Sequence, residues 1–324
     1  MKCKKILTAL LAAACTMSGC HGDLDIMQDN KLSASNMWID ESDAETATYG
    51  IYLYMRDALK SVHDIYLCWG EFRNGLWGAG TNKTLSGVDQ TQVRTSTMSS
   101  SNAYADWSVM YKTVNQANLI LKHVPEMGIS ESVRNFSLGN AYFSRAWCYF
   151  WIARIWGDAP LALTGYESTA GDLYLPRAPK AEIFARIESD LTEAERYVTD
   201  NSDKAVATPA AVQMLKADYA LWMYRVAGGG SSYLTMAEKA IEALNLSASR
   251  LESDYAQVFS SANKLNKEVI FAVHQANGEA VNGPGYYLGW NSNYVEAAYQ
   301  NNPVPITGGN QWWWYTDRYK ALLT

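Results

Sequence analysis

The residues best suited to binding chemistry in this sequence are aromatic rings that lie among amide side chains and glycines. Residues 277–310 contain seven Asn, six Gly and three Pro. The rings in and just after this stretch are Tyr286, Tyr287, Trp290, Tyr294, Tyr299, Trp312, Trp313 and Trp314. A sugar has an apolar face of C–H groups and a rim of hydroxyls, so it fits a flat ring beneath it and amides at its edge. Covering about 50 Å² of apolar surface contributes roughly 1 kcal/mol, so several rings must act together.

A second stretch carries rings of the same kind. Residues 70–102 are dominated by Gly, Asn, Ser and Thr and show no sustained period of a helix or a strand, which predicts a long loop. Trp69 stands at its entrance, and Phe72, Asn74 and Trp77 lie inside it. Long loops in a compact domain are usually functional or disordered. The two stretches together predict a binding surface; the alternative is that these rings anchor the loops to the core.

The known signatures of an enzyme are missing. The sequence contains no G-x-S-x-G elbow, no phosphate-binding glycine loop and no H-E-x-x-H motif. Its four histidines are too scattered to predict a metal site, and nothing predicts a cofactor. Glycoside hydrolysis needs two carboxylates at a fixed separation, which a sequence does not reveal. The acids available in loops are Glu71, Asp89, Glu279 and Glu296. The sequence therefore favours a binding protein that is not an enzyme.

The element that must position these loops is a helix predicted over Asn140–Trp156, within the apolar stretch Leu138–Pro160. Large apolar residues recur every four positions and small residues every seven: Phe143, Trp147, Trp151 and Ile155, then Gly139, Ala146 and Ala153. The second spacing leaves a line where a neighbouring helix can come close. A helix this apolar around its circumference is buried between others. Gly157 predicts a left-handed C-terminal cap, and Pro160 prevents continuation.

Two amphipathic helices are predicted before this central helix. Ser42 to Glu45 has the spacing of a capping box, and it opens a helix whose apolar positions are Ala44, Ala47, Ile51, Tyr54, Met55 and Ala58. The next helix has an apolar face from Trp107 to Val124 and ends at Pro125. Asn118 falls on that face, which predicts a buried amide that is hydrogen-bonded to backbone.

Further helices are predicted after the central one. Pro179 starts a helix with apolar positions between Ile183 and Val198, and its acids are interpreted as a solvated face: Glu182, Glu188, Asp190, Glu193 and Glu195. Thr208-Pro209 starts another, which runs to Val226 before three glycines. A helix with apolar residues from Leu234 to Leu244 follows, and Val269–Val273 is predicted as a strand. Cys68 and Cys148 are interpreted as buried thiols.

The helices form two pairs of similar pattern, Asn140–Val198 and Thr208–Leu246. At an offset of 71 residues, Arg145-Ala146 aligns with Lys216-Ala217. This offset is close to twice the ~34-residue period of tetratricopeptide repeats. The prediction is therefore an all-α, tetratricopeptide-like helical repeat scaffold that holds a loop-rich binding face; the alternative is an irregular helical bundle.

The N-terminal residues have the pattern of an export signal. Lys2, Lys4 and Lys5 precede a short apolar run, and Met17-Ser18-Gly19-Cys20 is similar to a bacterial lipobox, in which the cysteine becomes lipidated. The alternative is a simple secretory signal. Removal of residues 1–19 would take away three lysines and no acids, so the formal net charge would fall from −6 to about −9. This charge argues against nucleic acid as a partner.

An ordered set of motifs resembles the SusD/RagB family of outer-membrane lipoproteins. The most specific part is Arg145-Ala146, Tyr149-Phe150 and Trp156 to Pro160. The other matching segments are Cys20, Leu24 to Ile26, Trp38, Asp43 to Glu45, Gly70 to Arg73, Tyr111, Asn115 to Asn118, Leu175 to Arg177, Asp190 to Ala194 and Glu268 to Phe271. Together they extend from Cys20 to about Phe271 in the family's order.

The resemblance implies cell-surface capture of a nutrient glycan and its delivery to a SusC-like TonB-dependent outer-membrane transporter. It implies a lipid anchor at Cys20 in the outer membrane. It places the ligand-binding residues in two regions, and here these contain Trp77, Asn74, Tyr287, Trp290 and Trp312. Two alternatives remain at this point: a RagB-like lipoprotein that binds peptides, and a structural scaffold in which the aromatic residues are packing residues.

The export signal and the family resemblance together predict four parts of the chain. Residues 1–19 are the predicted lipoprotein signal peptide and residues 20–37 a lipidated tether. Residues 38–274 form the SusD-like helical repeat domain, and residues 275–324 the aromatic, loop-rich part of the binding region. Family members extend well beyond the position of Thr324, which here lies in a predicted helix over Tyr315–Leu323. The resemblance thus implies that the C-terminal part is truncated.

Overall fold

The computed structural model describes residues 37–70, 73–79, 88–169, 172–247, 250–275 and 313–323, most of them in α-helices. The chain divides into two compact units, Met1–Trp38 and Ile39–Thr324, and the elements below belong to the second. The helices are α1 (Glu41–Gly70), α2 (Val88–Thr95), α3 (Ser108–His123), α4 (Glu131–Trp156), α5 (Lys180–Tyr197), α6 (Pro209–Arg225), α7 (Ser232–Ala243), α8 (Tyr255–Val258) and α9 (Asp317–Leu323). The strands are β1 (Trp77–Ala79), β2 (Ala159–Pro160), β3 (Arg177–Ala178) and β4 (Trp313–Tyr315).

Neighbouring helices pack on one another along the chain, as the repeat interpretation predicted. Helix α3 packs against α1 and α4, α4 against α5, and α6 against α7. The tetratricopeptide-like helical fold is confirmed. None of the helices in the described part of the chain combines the length and the apolar character needed to cross a membrane.

Helix α1 begins at Glu41, two residues earlier than the capping-box prediction requires. The Asp43 N–H donates to Asp40 Oδ1 at 3.1 Å, and the Asp40 N–H donates to Asp43 Oδ2 at 3.3 Å. The reciprocal cap is thus Asp40 with Asp43, and Ser42 with Glu45 was the wrong pair because both lie inside the helix. Most of the predicted apolar face is buried, but Tyr54 is exposed. The helix also continues to Gly70, so Trp69 is a helical residue.

The central helix prediction is confirmed in α4, which extends further toward the N-terminus than the apolar stretch. Most of its length is buried. Gly139 lies so close to the end of α5 that a Cβ atom there would stand 2.6 Å from Val198 Cγ2. This is the close helix approach that the line of small residues predicted. Gly157 has φ 72° and ψ −119°, so it takes a positive φ as predicted but lies outside the left-handed helical region.

A buried ion pair joins α4 to α5, and it overturns one prediction. Arg145 donates to both carboxylate oxygens of Asp190, at 2.8 and 2.7 Å, and to Asn118 Oδ1 at 2.7 Å. Asp190 is completely buried, so its assignment to a solvated face was wrong. Its partner lies on another helix, which the acidic pattern of α5 does not show. Glu188 was misassigned as well, because it accepts hydrogen bonds from Tyr219 and Tyr233, both at 2.7 Å.

The loop between α4 and α5 is held by hydrogen bonds to its backbone groups. Strands β2 and β3 pair antiparallel and close its two ends. The Asn118 amide donates to the Ala162 carbonyl at 3.0 Å, which confirms its predicted buried role. Asn115 accepts from the Tyr166 N–H at 2.7 Å and donates to the Tyr166 carbonyl at 3.0 Å. The side-chain amides of Asn115 and Asn118 therefore bind the backbone of this loop, as a neighbouring strand would.

The remaining helix predictions are confirmed, and the strand prediction is not. Thr208 caps α6 by accepting from the Ala211 N–H at 3.1 Å. Residues 269–273 form no strand: the Ala272 N–H donates to the Lys204 carbonyl, and the Phe271 ring packs on Phe143 with centroids 5.4 Å apart. The apolar run is thus a packing anchor. Cys68 and Cys148 are buried as predicted, and burial raises the pKa of the Cys148 thiol.

Candidate ligand-binding site

The two ring-bearing stretches of the sequence meet in a short antiparallel ladder of β1 and β4. The Cα partners are Trp77 with Tyr315, Gly78 with Trp314 and Ala79 with Trp313. Both strands have three residues, and they come from opposite ends of the folded unit's sequence. The ladder therefore brings the predicted loop after α1 next to the end of the predicted C-terminal aromatic segment. We call residues 73–79 and 313–319 the ladder region.

The turn that leads into β1 is held by polar groups. Asn74 Oδ1 accepts a hydrogen bond from the Leu76 N–H at 2.8 Å, and Gly75 takes a positive φ of 78°. The Thr316 N–H donates to the Leu76 carbonyl at 2.8 Å, and Thr316 Oγ1 donates to the Gly75 carbonyl at 3.0 Å. Thr316 thus extends the ladder by one residue. The side-chain oxygen of Asn74 supports the turn, and its predicted contact with a ligand stays a prediction.

An aromatic pair follows β4. The rings of Tyr315 and Tyr319 have centroids 4.7 Å apart at an interplanar angle of 40°. The predicted helix begins at Asp317, two residues later than expected, because Tyr315 pairs with Trp77 in the ladder. Tyr315 is exposed. Tyr315 and Tyr319 were missed as candidates, although the run from Trp312 to Tyr315 was a usable signal.

The end of α1, which leads into the ladder region, is fixed by a cluster of tryptophans. Trp69 Nε1 donates to the Tyr104 carbonyl at 2.8 Å, and its ring lies 5.2 Å from the Trp156 ring. Trp156 Nε1 donates to the Ala105 carbonyl at 3.0 Å. Tyr104 is buried, and burial raises the pKa of its hydroxyl. The helix end is therefore rigidly attached to α4 and to the segment before α3.

The predicted loop over residues 70–102 was only partly correct. It contains β1 and also α2, a helix of eight residues in which Val93 is buried. A single buried apolar residue gives no visible period, so the sequence pattern could not reveal this helix. Asn102 connects it to the following segment, because its Nδ2 donates to Gln92 Oε1 at 2.9 Å.

The structure describes only some of the predicted site residues. It places Asn74 in the turn and Trp77 in the ladder. Tyr287, Trp290 and Trp312 lie outside the described residues, as does Cys20. Among the residues that are described, no group of three His, Cys, Asp or Glu side chains is arranged to hold a metal ion. The ladder region contains aromatic rings, the Thr316 hydroxyl and the Asn74 amide, together with the charged side chains of Arg73, Asp317 and Arg318.

Comparison with known proteins points to one family. A model of a SusD-like family, described as starch-binding and associating with the outer membrane, matches residues 79–222. SusD-like protein P38 of Formosa agariphila is 26% identical over 190 residues. This match covers 59% of the chain and 36% of the relative, so the chain spans about a third of that protein's length.

Solved structures are similar to the chain over most of the described residues. Bacteroides fragilis NanU superposes with a TM-score of 0.64 at 29% identity, covering 78% of this chain and 51% of its own. A SusD superfamily protein from Bacteroides fragilis superposes with a TM-score of 0.70 at 26% identity, covering 86% of this chain and 60% of its own. The chain covers 51% and 60% of these two structures, so a large part of each has no counterpart in it.

Proposed function

We propose that this chain, a member of the SusD/RagB family, captures glycan at the cell surface and does not cleave it. The family model is described as starch-binding, which supports a carbohydrate ligand for this chain. The absence of enzyme motifs from the sequence supports binding without catalysis.

The single observation that carries the proposal is the pairing of β1 with β4. It brings Trp77 and the residues after Trp312 together in space. A glycan needs several ring platforms at once, since one platform contributes only about 1 kcal/mol. Two aromatic stretches that are far apart in the sequence meet this requirement only when a fold joins them. We propose Trp77, Asn74, Tyr287, Trp290 and Trp312 as ligand contacts and add Tyr315.

The delivery step belongs to the proposal as well. We propose that the chain passes its glycan to a SusC-like TonB-dependent transporter in the outer membrane. Cys20 would be the lipidated residue, residues 1–19 the signal peptide and residues 20–37 the tether. Several buried acyl chains give stable attachment, because each methylene contributes about 0.8 kcal/mol. Mass spectrometry of the protein from its native membrane tests the anchor: a lipidated N-terminal Cys20 is expected, and an unmodified cysteine contradicts it.

Affinity electrophoresis against a panel of polysaccharides tests the proposed ligand. We expect at least one polysaccharide to retard the protein, and Trp77→Ala and Trp290→Ala to lose most of the retardation. Tyr255→Ala is the matched control, because Tyr255 is an exposed ring on α8 and does not belong to the ladder region. Equal loss in the control would show a general effect on the fold.

Three results would contradict the proposal, each in a different way. Binding of peptides without binding of any polysaccharide would favour a RagB-like peptide carrier. Binding of neither polysaccharide nor peptide would favour a structural scaffold whose aromatic residues only pack. Release of reducing sugar from a retarding polysaccharide would reveal a hydrolase.

A further inference from the structure

A cavity with binding chemistry lies at the other end of α1, near its first turns. It encloses about 370 Å³ between the first turns of α1, the start of α4 and the segment after α5. Its chemically informative lining residues are Glu45, Tyr49, Asn135, Phe136, Tyr197 and Asp200. Tyr49 lies 21 residues before Gly70, where α1 ends, which is about 30 Å of helix at 1.5 Å per residue. The cavity is therefore separate from the ladder region.

Aromatic rings form the walls of this cavity. The Tyr49 ring is 54% exposed, and its centroid lies 5.8 Å from that of Phe136 at 53°. The Tyr197 ring stacks on Tyr142 with centroids 6.0 Å apart and planes 6° apart, so its position is fixed from behind. Such rings offer apolar faces to C–H groups and attract cations by their quadrupole.

The charge of the cavity has one sign. Glu45 and Asp200 line it, and no Lys, Arg or His side chain does among the residues that the structure describes. Burial raises the pKa of the Tyr49 hydroxyl, and Asp203, Glu45 and Asp200 raise it further, which shows that three carboxylates act on this ring. The Arg196 guanidinium lies over the Tyr197 ring, 5.0 Å from its centroid, and pairs with Glu193 at 3.6 Å. The cavity thus favours a positive ligand.

Polar groups are also open to a ligand here. Within the described part of the chain, the Glu45 carboxylate, the Asn135 amide and the Thr199 hydroxyl make no hydrogen bond, and all three line the cavity. Asn140 at its base is different, because its amide donates to the Phe136 carbonyl at 2.7 Å and accepts from the Ala207 N–H at 3.0 Å. The open groups are those that could bind hydroxyls and an ammonium group.

We infer that this cavity binds an amino sugar in its protonated form. The aromatic walls suit the C–H face of the sugar, the Asn135 amide and the Thr199 hydroxyl suit its hydroxyls, and the Glu45 carboxylate suits its ammonium group. Asp200 adds negative charge, but its two carboxylate oxygens already accept hydrogen bonds from Ser202, at 2.8 and 2.7 Å. A lysine side chain would use the carboxylates but leave the amide and the hydroxyl without partners. This inference is independent of glycan capture at the ladder region, and it holds even if that proposal fails.

Isothermal titration calorimetry with D-glucosamine hydrochloride tests the inference, at about pH 6 where a primary amine is protonated. We expect D-glucose to bind at least about tenfold more weakly, because it lacks the ammonium group and forms no charge-assisted hydrogen bond with Glu45. Glu45→Gln should weaken glucosamine binding about three- to tenfold. Glu238→Gln is the matched control, since Glu238 is exposed on α7 and loses the same charge.

The outcomes separate this site from its alternatives. Equal affinity for glucose and glucosamine, or no effect of Glu45→Gln, would overturn the inference. Lysine amide binding as tightly as glucosamine would show a general cation site and overturn the sugar class. Loss of binding in Trp77→Ala but not in Glu45→Gln would place the sugar at the ladder region instead. Circular dichroism of Glu45→Gln is the control for folding. An unchanged spectrum shows that weaker glucosamine binding is not caused by a folding defect.

Discussion

The Arg145–Asp190 pair shows how single residues hold this scaffold together. Both side chains are buried, and the guanidinium also reaches Asn118, whose own amide holds the loop after α4. One arginine therefore connects α3, α4, α5 and this loop. Two buried charges attract strongly in a low dielectric, but each was costly to remove from water. Removal of one partner should leave the other charge buried without compensation.

We predict that Asp190→Ala lowers the free energy of unfolding by about 3–5 kcal/mol, because Arg145 would remain buried and unpaired. Glu182→Ala is the matched control on the same helix, and it should cost less than about 1 kcal/mol since Glu182 is exposed. Urea unfolding followed by circular dichroism measures both. The double variant Arg145→Met with Asp190→Leu should recover part of the loss. A cost for Asp190→Ala no larger than the control would contradict this role.

The ability to predict residue roles from the sequence depended on where the partners lie. Asn118 was correctly predicted to be buried, because its place on the apolar face of its own helix shows this directly. Asp190 was not, since its partner Arg145 lies 45 residues away on another helix. Acids that repeat along one helix look the same whether one of them is solvated or paired. The periodicity of a sequence shows which face of a helix is apolar, but it does not show which residues of other helices pack against that face.

At the scale of elements, surface charges attach the end of α3 to the loop that it supports. Lys122 and His123 both contact the Glu167 carboxylate, the latter at 2.7 Å. The hydrogen bond from the Lys122 ammonium is the main cause that lowers the pKa of Glu167, and His123 lowers it further. A carboxyl whose pKa is lower in the folded state stabilises the fold above its unfolded pKa, about 4.3. That stabilisation is lost as the pH falls through the folded pKa.

We therefore predict that Glu167→Gln destabilises the protein at pH 7 and that this difference shrinks as the pH falls below about 4.3. The difference at pH 7 should not exceed about 1 kcal/mol, because the pair is accessible to solvent and salt. Urea unfolding at a series of pH values from 7 to 3 measures it. Glu131→Gln, an exposed acid in the first turn of α4, provides the control for loss of a surface charge. A difference that grows as the pH falls would contradict the predicted sign.

Elements were predictable when their pattern was long enough to repeat. Helix α4 has 26 residues and is apolar around most of its surface, so it was evident from the sequence. Helix α2 has eight residues with one buried apolar side chain and was missed. The Val269–Val273 run was taken for a strand because apolar residues in a row are equally typical of a strand and of a packed loop.

At the scale of the whole molecule, stacked helices serve as a frame and the ladder region as the place where distant segments meet. The helical fold followed from the sequence because each helix reports its own buried face. The pairing of β1 with β4 did not, since each strand has three residues and the contacts between them are far apart in the chain. Only the ring-rich composition of both stretches indicated a shared role.

Hydrogen exchange measured with and without oligosaccharides of the retarding polysaccharide tests glycan binding at the ladder region most directly. We predict slower exchange of the amides in residues 74–79 and 313–316, because a bound glycan shields them from solvent. Residues 45–49 and 132–140 around the cavity near the first turns of α1 should exchange at an unchanged rate when the oligosaccharide carries no amine. Slower exchange confined to other segments, with the ladder region unaffected, would contradict the account.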